Sequence, residues 1–238
     1  MKKIFLISIL LIFTYCSEDN DSSIISDDTQ VSDIDGNTYP LQLIADEIWS
    51  TQNLRTKTYR DGTPIPYVED PSEWANLTTG AWQYVNNDPS TEEKYGLLYN
   101  FYAVNNPKGL SPEGTRIPSY NDLFHLTSYF GAPLDGTTDE EIFLGFLTDD
   151  PEYTWVSGEF SAVGTNTTGF NLYPAGFQRS TSSSNLFGRG TFLWSSDAFW
   201  SSYQNPFAAR WTFTGSYTVG TFSTQSYYGC SVRVIKDR

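Results

Sequence analysis

Apolar and polar positions alternate in short runs along most of the chain, which favours β-strands over long helices. Tyr39, Leu41 and Leu43 recur at every second residue. Residues 61–64, Asp-Gly-Thr-Pro, form one of several turn-forming clusters that separate such runs. The pattern predicts short strands joined by turns from about residue 36 onward.

Two segments have the helical period instead. Ser119 is a suitable N-cap with Asp122 three residues later, and Gly131 is placed to end the helix. Four residues between them fall on one, mostly apolar face: Leu123, Leu126, Thr127 and Phe130. Residues 139–147 predict a second helix, with three acids at its positive N-terminal end. Strands together with one or two helices indicate an α+β domain.

The N-terminus has the pattern of an export signal. Lys2 and Lys3 precede an apolar run over residues 4–13, which is too short to span a bilayer. Cys16 follows, and the run resembles a bacterial lipoprotein signal, in which that Cys becomes the acylated first residue. Tyr15 stands where such signals prefer a small residue, so ordinary signal cleavage nearby is the alternative. Residues 1–15 are thus predicted to be a lipoprotein signal peptide.

Acidic residues follow this Cys, as in Bacteroidetes-type lipoproteins that are exported to the outer face of the outer membrane. Nine acids and no base lie between residues 17 and 54. Such a segment buries too little apolar surface to fold, which predicts a flexible tether over 16–35 and one domain over 36–238. We expect an outer-membrane protein, lipid-anchored and exposed at the cell surface.

The net charge of the chain disfavours two classes of binding partner. Lys and Arg number 14 against 28 Asp and Glu, a formal charge of −14. This charge repels nucleic acid and anionic lipid head groups. We expect no nucleic-acid partner and no membrane contact beyond the lipid anchor.

The C-terminal third has a different composition. No acid occurs over residues 198–236, whereas twelve aromatic residues lie between 192 and 228 among Ser, Thr, Asn and Gly. Rigid aromatic rings among small polar residues are typical of binding loops. The alternative is a Ser/Thr-rich sheet whose aromatic residues only pack against one another.

Several segments, in order, resemble the Fibrobacter succinogenes major paralogous domain family of secreted proteins and lipoproteins. They include Asn53-Leu54-Arg55-Thr56, Lys94-Tyr95-Gly96, Arg116-Ile117-Pro118-Ser119, Trp194-Ser195-Ser196 and Ser231-Val232-Arg233. The resemblance implies a C-type-lectin-like fold of mostly antiparallel short strands, with one or two flanking helices and long loops. That fold includes formylglycine-generating enzymes and hypervariable ligand-binding proteins, the latter with variable residues in a stretch comparable with 194–234. Fold alone does not decide function.

The chain departs from the family at its cysteines. Many members carry Cys at the positions of Ser111 and Val234, placed to pair, and both are absent here. Cys230 stands where an aromatic residue is usual. We expect Cys230 to be unpaired and to act as a small buried apolar residue.

The inventory for catalysis is short. His125 is the only imidazole, and its helical position predicts that it faces water. With two Cys, the chain offers neither a His/Cys zinc site nor the paired thiols of formylglycine chemistry. Carboxylates are abundant, but no pair stands out. We therefore expect no catalytic residues and no enzyme activity.

One oxygen-rich cluster is a weak candidate for Ca²⁺: Asn86, Asp88 and Glu92. It lacks the EF-hand spacing and fits a turn followed by a helix start equally well. We expect no other cofactor.

These observations predict a non-catalytic cell-surface lipoprotein that binds an extracellular glycan or protein through an aromatic C-terminal surface. The predicted ligand-binding residues are Trp200, Tyr203, Trp211 and Tyr217 as stacking platforms, Asn205 and Arg210 as hydrogen-bonding groups, and Tyr227. The alternatives are a carboxylate-dependent surface hydrolase and a structural or adhesive coat component.

Overall fold

Short antiparallel strands build most of the computed structural model, which describes residues 29–132, 134–179, 182–198, 206–214 and 216–237. In chain order the strands of this described part are β1 (Gln30–Ser32), β2 (Thr38–Ile44), β3 (Glu47–Ser50), β4 (Trp82–Tyr84), β5 (Leu97–Tyr99), β6 (Thr115–Arg116), β7 (Asp135–Thr137), β8 (Trp155–Ser157), β9 (Phe160–Ala162), β10 (Phe177–Arg179), β11 (Ser182–Asn185), β12 (Gly190–Ala198), β13 (Pro206–Phe213), β14 (Tyr217–Ser223) and β15 (Ile235–Lys236). The helices are α1 (Pro71–Trp74), α2 (Glu92–Tyr95), α3 (Phe101–Val104), α4 (Tyr120–Tyr129) and α5 (Glu140–Phe146). The predicted α+β class with mostly antiparallel strands is confirmed.

A five-stranded sheet joins the two ends of the domain in the order β1-β2-β3-β15-β6. Ile235 of β15 is paired with Trp49 of β3 on one side and with Arg116 of β6 on the other. The backbone N–H of Leu54 donates to the carbonyl of Val232 at 2.8 Å, which extends this contact beyond the strands. The C-terminal residues of the domain are therefore held in place by β3 and by Leu54, which lie near its N-terminus.

The folded domain begins earlier than the predicted residue 36. Strand β1 already pairs with β2, and its neighbouring acids are satisfied by hydrogen bonds. Asp33 accepts a hydrogen bond from the Tyr39 hydroxyl at 2.5 Å. Asp35 accepts from the backbone N–H groups of Lys57 at 2.6 Å and Thr58 at 3.1 Å. Residues 30–35 thus belong to the domain rather than to a tether.

A four-stranded sheet in the order β12-β13-β14-β7 lies between the two largest apolar clusters of the described residues. Phe192 and Trp194 of β12 point into one cluster, and Leu193 points into the other. On β13, Ala208 and Trp211 divide in the same way. This sheet is therefore buried on both faces over most of its area.

Both predicted helices are confirmed. Helix α4 starts at the Ser119 N-cap, where a capping box joins Ser119 and Asp122. Leu123 and Leu126 are buried on its inner face, and His125 is exposed as predicted. Helix α5 starts at the Asp139 N-cap, whose side chain accepts from the N–H of Glu141 at 2.9 Å.

Candidate functional site

Of the seven residues predicted to bind a ligand, the four that the structure describes do not form one surface. Trp200, Tyr203 and Asn205 lie outside the described residues, in the segment between β12 and β13. The other four are distributed over two faces of the four-stranded sheet and the segment after β14.

Trp211 belongs to the core. Its side chain is 0% exposed, and its ring centroid lies 5.8 Å from that of Phe146 and 6.1 Å from that of Phe170. Its partner across β14 is Val219, also buried. The prediction that Trp211 offers a stacking platform is wrong, because this face of the sheet packs against α5 and the 170 region.

Tyr217 is half-buried on the same face as Trp211. Its ring is stacked on Phe213 at 5.0 Å with an interplanar angle of 7°, which covers one side of the ring. Its hydroxyl donates to Glu140 Oε1 at 2.6 Å, and this hydrogen bond is the main cause of its raised pKa. Tyr217 thus links β14 to the start of α5. Only the side of its ring that faces away from Phe213 is left for contact with a ligand.

Arg210 lies on the opposite face, where its cross-strand neighbours are Phe192 and Gly220. A Cβ on residue 220 would stand 3.5 Å from Arg210 Nε, so the arginine side chain extends over the bare glycine backbone. Nε is buried and has no hydrogen-bond partner among the described residues. Arg210 thus keeps donor capacity that the described protein does not use.

Aromatic rings cover the rest of this face. The rings of Phe177 and Phe192 are 4.4 Å apart, and those of Phe192 and Phe222 are 4.9 Å apart. Tyr228 is 5.8 Å from Phe177. We call the aromatic face the set formed by Phe177, Phe192, Phe222, Tyr227 and Tyr228, with Arg179 and Arg210.

The accessible part of the aromatic face is its rim. Phe222 and Tyr227 are half-buried, Arg179 is exposed, and Phe192 is only 2% exposed. Arg179 Nε donates to the Tyr228 hydroxyl at 2.9 Å, and its guanidinium carbon lies 5.8 Å from that ring. A ligand here would meet the exposed Arg179 and the half-buried Arg210, Phe222 and Tyr227.

Sequence reasoning missed Phe177 and Arg179 at this site. Both precede the aromatic-rich stretch of residues 192–228 and come next to it only through the placement of β10. No local signal marks them, since Phe-Gln-Arg is an ordinary strand sequence. Phe222 and Tyr228 lie within the stretch, but the sequence around them does not distinguish ligand-binding residues from core residues.

The sequence was compared with models of known protein families. A sequence model of the Fibrobacter succinogenes major domain matches residues 43–236. This chain belongs to that family. No curated protein and no solved structure matches the chain.

In this Fibrobacter succinogenes major domain, the predicted calcium cluster is divided among other contacts. Asp88 caps a 3₁₀ turn by accepting from the N–H of Ser90 at 2.9 Å. Glu92 Oε1 forms an ion pair with Lys57 Nζ at 2.7 Å. The described residues contain no group of three or more His, Cys, Asp or Glu side chains placed to hold a metal ion.

His125 and Cys230 lie in different environments, one on the surface and one in the core. His125 is exposed on α4, with its ring 6.3 Å from that of Tyr129. Cys230 is unpaired and fully buried, as predicted, and burial raises the pKa of its thiol. Thiolate character is what makes a Cys nucleophilic, so this thiol is held in its unreactive form.

The predicted signal peptide and Cys16 lie outside the described residues. Within the described residues, no helix combines the length and apolarity needed to cross a membrane.

Proposed function

We propose that this domain is a non-catalytic binding module of a lipid-anchored cell-surface protein, and that the aromatic face takes an extracellular ligand, a glycan or a protein. We propose in addition that the fold is C-type-lectin-like, which the family resemblance implies. The mixture of small antiparallel sheets and short helices supports that assignment.

Arg210 is the observation that carries the binding proposal. A buried donor without a partner costs free energy in the unbound protein, because its hydrogen bonds to water are lost. Nε is covered in the unbound protein, so a ligand oxygen at the rim of the aromatic face would restore that hydrogen bond once the half-buried Arg210 side chain turns outward. Aromatic and arginine side chains are also the residues that most often contribute strongly to binding.

Several carboxylates already have structural partners, which supports a non-catalytic role. Asp122 pairs with Arg116 at 2.6 Å, and Glu152 pairs with Lys94 at 2.8 Å. Tyr217 donates to Glu140. A glycosidase needs two facing carboxylates across a substrate, with one of them kept protonated. Burial would raise the pKa of Asp122, but the hydrogen bonds from Arg116 and Ser119 outweigh it and lower the pKa, which favours the ionised form of this carboxylate.

Anchoring through an acylated Cys16 remains our proposal from the sequence. Replacing Cys16 by Ser should move the protein from the membrane fraction to the soluble fraction, because the acyl chains are its only predicted membrane contact. Fractionation and mass spectrometry of the N-terminal residue measure this. Unchanged membrane partition, or an N-terminal residue without lipid, contradicts it.

The binding proposal is tested by screening the purified chain on a glycan array and against candidate surface proteins. Arg210→Gln should lower affinity for a bound ligand about ten- to a hundredfold through loss of a charged donor. Lys94→Gln removes the same charge from α2, outside the aromatic face, and should leave binding unchanged. Equal affinities for the two variants would place the ligand elsewhere.

Trp200→Ala and Tyr203→Ala test two of the predicted stacking residues, both of which lie outside the described residues. If these rings stack on the ligand, each should weaken binding by about 1–3 kcal/mol and change the free energy of unfolding by less than about 0.5 kcal/mol. A loss of several kcal/mol of stability in both variants would mean that the rings are core residues. Turnover of a bound glycan would favour the hydrolase alternative, and self-association without ligand would favour a coat component.

A further inference from the structure

A separate concave site lies at the N-terminal side of the domain. A pocket of about 230 Å³ opens where the end of β1 and the turn after it meet two loops, residues 56–60 and 110–113. None of its lining residues belongs to the aromatic face. This volume is large enough for a small ligand of one ring, and it is smaller than the usual range of pockets for drug-sized ligands.

Arg60 provides a fixed cation in this pocket. Its Nε donates to the Ser111 carbonyl at 3.1 Å, and its Nη2 lies 2.8 Å from Ser111 Oγ and 3.3 Å from the Thr115 carbonyl. No partner of Nη1 and no ion-paired carboxylate lies among the described residues. The guanidinium is therefore oriented by the protein while one of its nitrogens remains available to a ligand.

The acids of the pocket offset this charge. Asp33 lines it, but its carboxylate is already occupied by the N–H groups of Asp35 and Asn37 and by the Tyr39 hydroxyl. Glu113 also lines it, is exposed, and has no hydrogen-bond partner among the described residues. A lining with one guanidinium and two carboxylates disfavours an anionic ligand.

The other residues that line the pocket are partly polar and partly apolar. The polar residues Ser32, Thr56 and Thr58 line the pocket together with the apolar residues Ile34, Leu110 and Pro112. The Thr56 hydroxyl already donates to Asp35 Oδ2 at 2.9 Å. Ile34 is 54% exposed, although it is a large apolar residue. A sugar ring combines hydroxyl groups, which both donate and accept, with C–H faces that pack on apolar side chains.

We propose that this pocket binds one neutral sugar residue. Its hydroxyl groups accept hydrogen bonds from Arg60 Nη1 and donate to the Glu113 carboxylate, and its C–H face lies against Ile34 and Pro112. This site stands on its own residues and does not depend on ligand binding at the aromatic face.

The test is a titration of the ¹⁵N-labelled full chain, followed by two-dimensional NMR. The probes are glucose, galactose, mannose and N-acetylglucosamine, with glucuronate as the charged analogue. At least one neutral probe should shift amide signals of residues 32–34, 56–60 and 110–113 saturably, with a dissociation constant in the millimolar range expected for a small ligand. Glucuronate should bind more weakly.

Glu113→Gln should weaken this binding about tenfold or more, because a charged acceptor is lost. Glu93→Gln, at another exposed acid, on α2, is the matched control and should bind as the unmodified chain does. Arg60→Gln should also lose binding, but Arg60 holds the 110–115 loop, so Glu113→Gln keeps the test independent of folding.

Three outcomes would overturn the proposal. The first is the absence of a saturable shift at these residues with every neutral probe. The second is binding of glucuronate alone, and the third is equal affinity of Glu113→Gln and Glu93→Gln. Shifts confined to the aromatic face would overturn this pocket while supporting the function proposed above.

Discussion

At the scale of single residues, Arg233 is a buried charge with no ion-pair partner among the described residues. It is 0% exposed and donates to Asn53 Oδ1 at 2.6 Å and to the carbonyls of Ser50 at 2.7 Å, Phe170 at 3.1 Å and Asn171 at 2.7 Å. Burial lowers the pKa of its guanidinium to about 10, so it stays protonated at neutral pH. Neutral oxygens thus replace the water that the charge lost.

Replacing Arg233 should be costly because its acceptors would remain buried without donors. Arg233→Ala should lower the free energy of unfolding by about 3–5 kcal/mol, and Arg233→Lys should recover only part of this because it cannot form the planar fork. Urea unfolding at neutral pH measures both. Arg55→Lys, at an arginine that lies over the Tyr39 ring at 5.3 Å, should cost less than about 1 kcal/mol. Equal costs at the two positions would contradict this account.

Cys230 offers a simpler prediction. In a chain carrying Cys16→Ser, a thiol reagent should label the folded protein slowly, because the thiol is fully buried and its pKa is raised. One thiol should react at once after denaturation. Ellman titration with and without guanidinium chloride measures both states. Fast labelling of the folded chain would mean that the segment after Gly229 exposes this side chain.

At the scale of elements, helix α4 depends on one carboxylate. Asp122 receives two hydrogen bonds from Arg116, at 2.6 and 3.0 Å, and one from the backbone N–H of Ser119 at 2.7 Å. Burial alone would raise the pKa of Asp122, but these hydrogen bonds outweigh it and lower the pKa. The ionised carboxylate therefore stabilises the folded state.

Asp122→Asn should lower the free energy of unfolding by about 1–2 kcal/mol at neutral pH, because the capping box loses its charged acceptor. The folded-state pKa lies below the unfolded value of about 4, so the contribution is complete above that pH and is lost as pH falls through the lower pKa. Unfolding measured from about pH 7 to pH 3 should show the two proteins converging in acid. A constant difference would contradict the sign of the shift.

The elements that the sequence predicts are those with local signals. Helix α4 has its cap and its apolar face. The alternation of apolar residues predicts strand β2, although Leu43 is 69% exposed and Ile44 is buried instead. Strand β13 has neither, because both faces of its sheet are buried, so alternation does not indicate which apolar cluster Trp211 enters. Strand β1 was missed because its acids suggest a solvated chain, whereas backbone N–H groups and the Tyr39 hydroxyl bind them.

At the scale of the whole molecule, the segments that resemble the family contain residues that stabilise the fold, and they do not identify a ligand. Gly96 has φ +73°, and a Cβ there would stand 2.7 Å from the Leu54 carbonyl oxygen. Trp194 Nε1 donates to the Tyr99 carbonyl at 2.7 Å. Arg210 lies outside the segments on which the resemblance rests, whereas Glu113 belongs to one of them, Pro112-Glu113-Gly114. Resemblance therefore predicted the family, while both candidate sites needed the structure.

Strand β15 closes the five-stranded sheet near the C-terminus, so its removal should destabilise the domain. Ile235 is fully buried and lies between β3 and β6, so ending the chain at Val234 would leave both strands without their shared neighbour. The loss of a buried Ile and of this pairing should cost about 3 kcal/mol or more. Ending the chain at Lys236 is the matched control, since Asp237 contributes one backbone hydrogen bond to Gly114. Thermal unfolding should show a large drop only for the shorter chain. A cooperative transition at the original temperature in both would mean that the β3–β6 connection does not need β15.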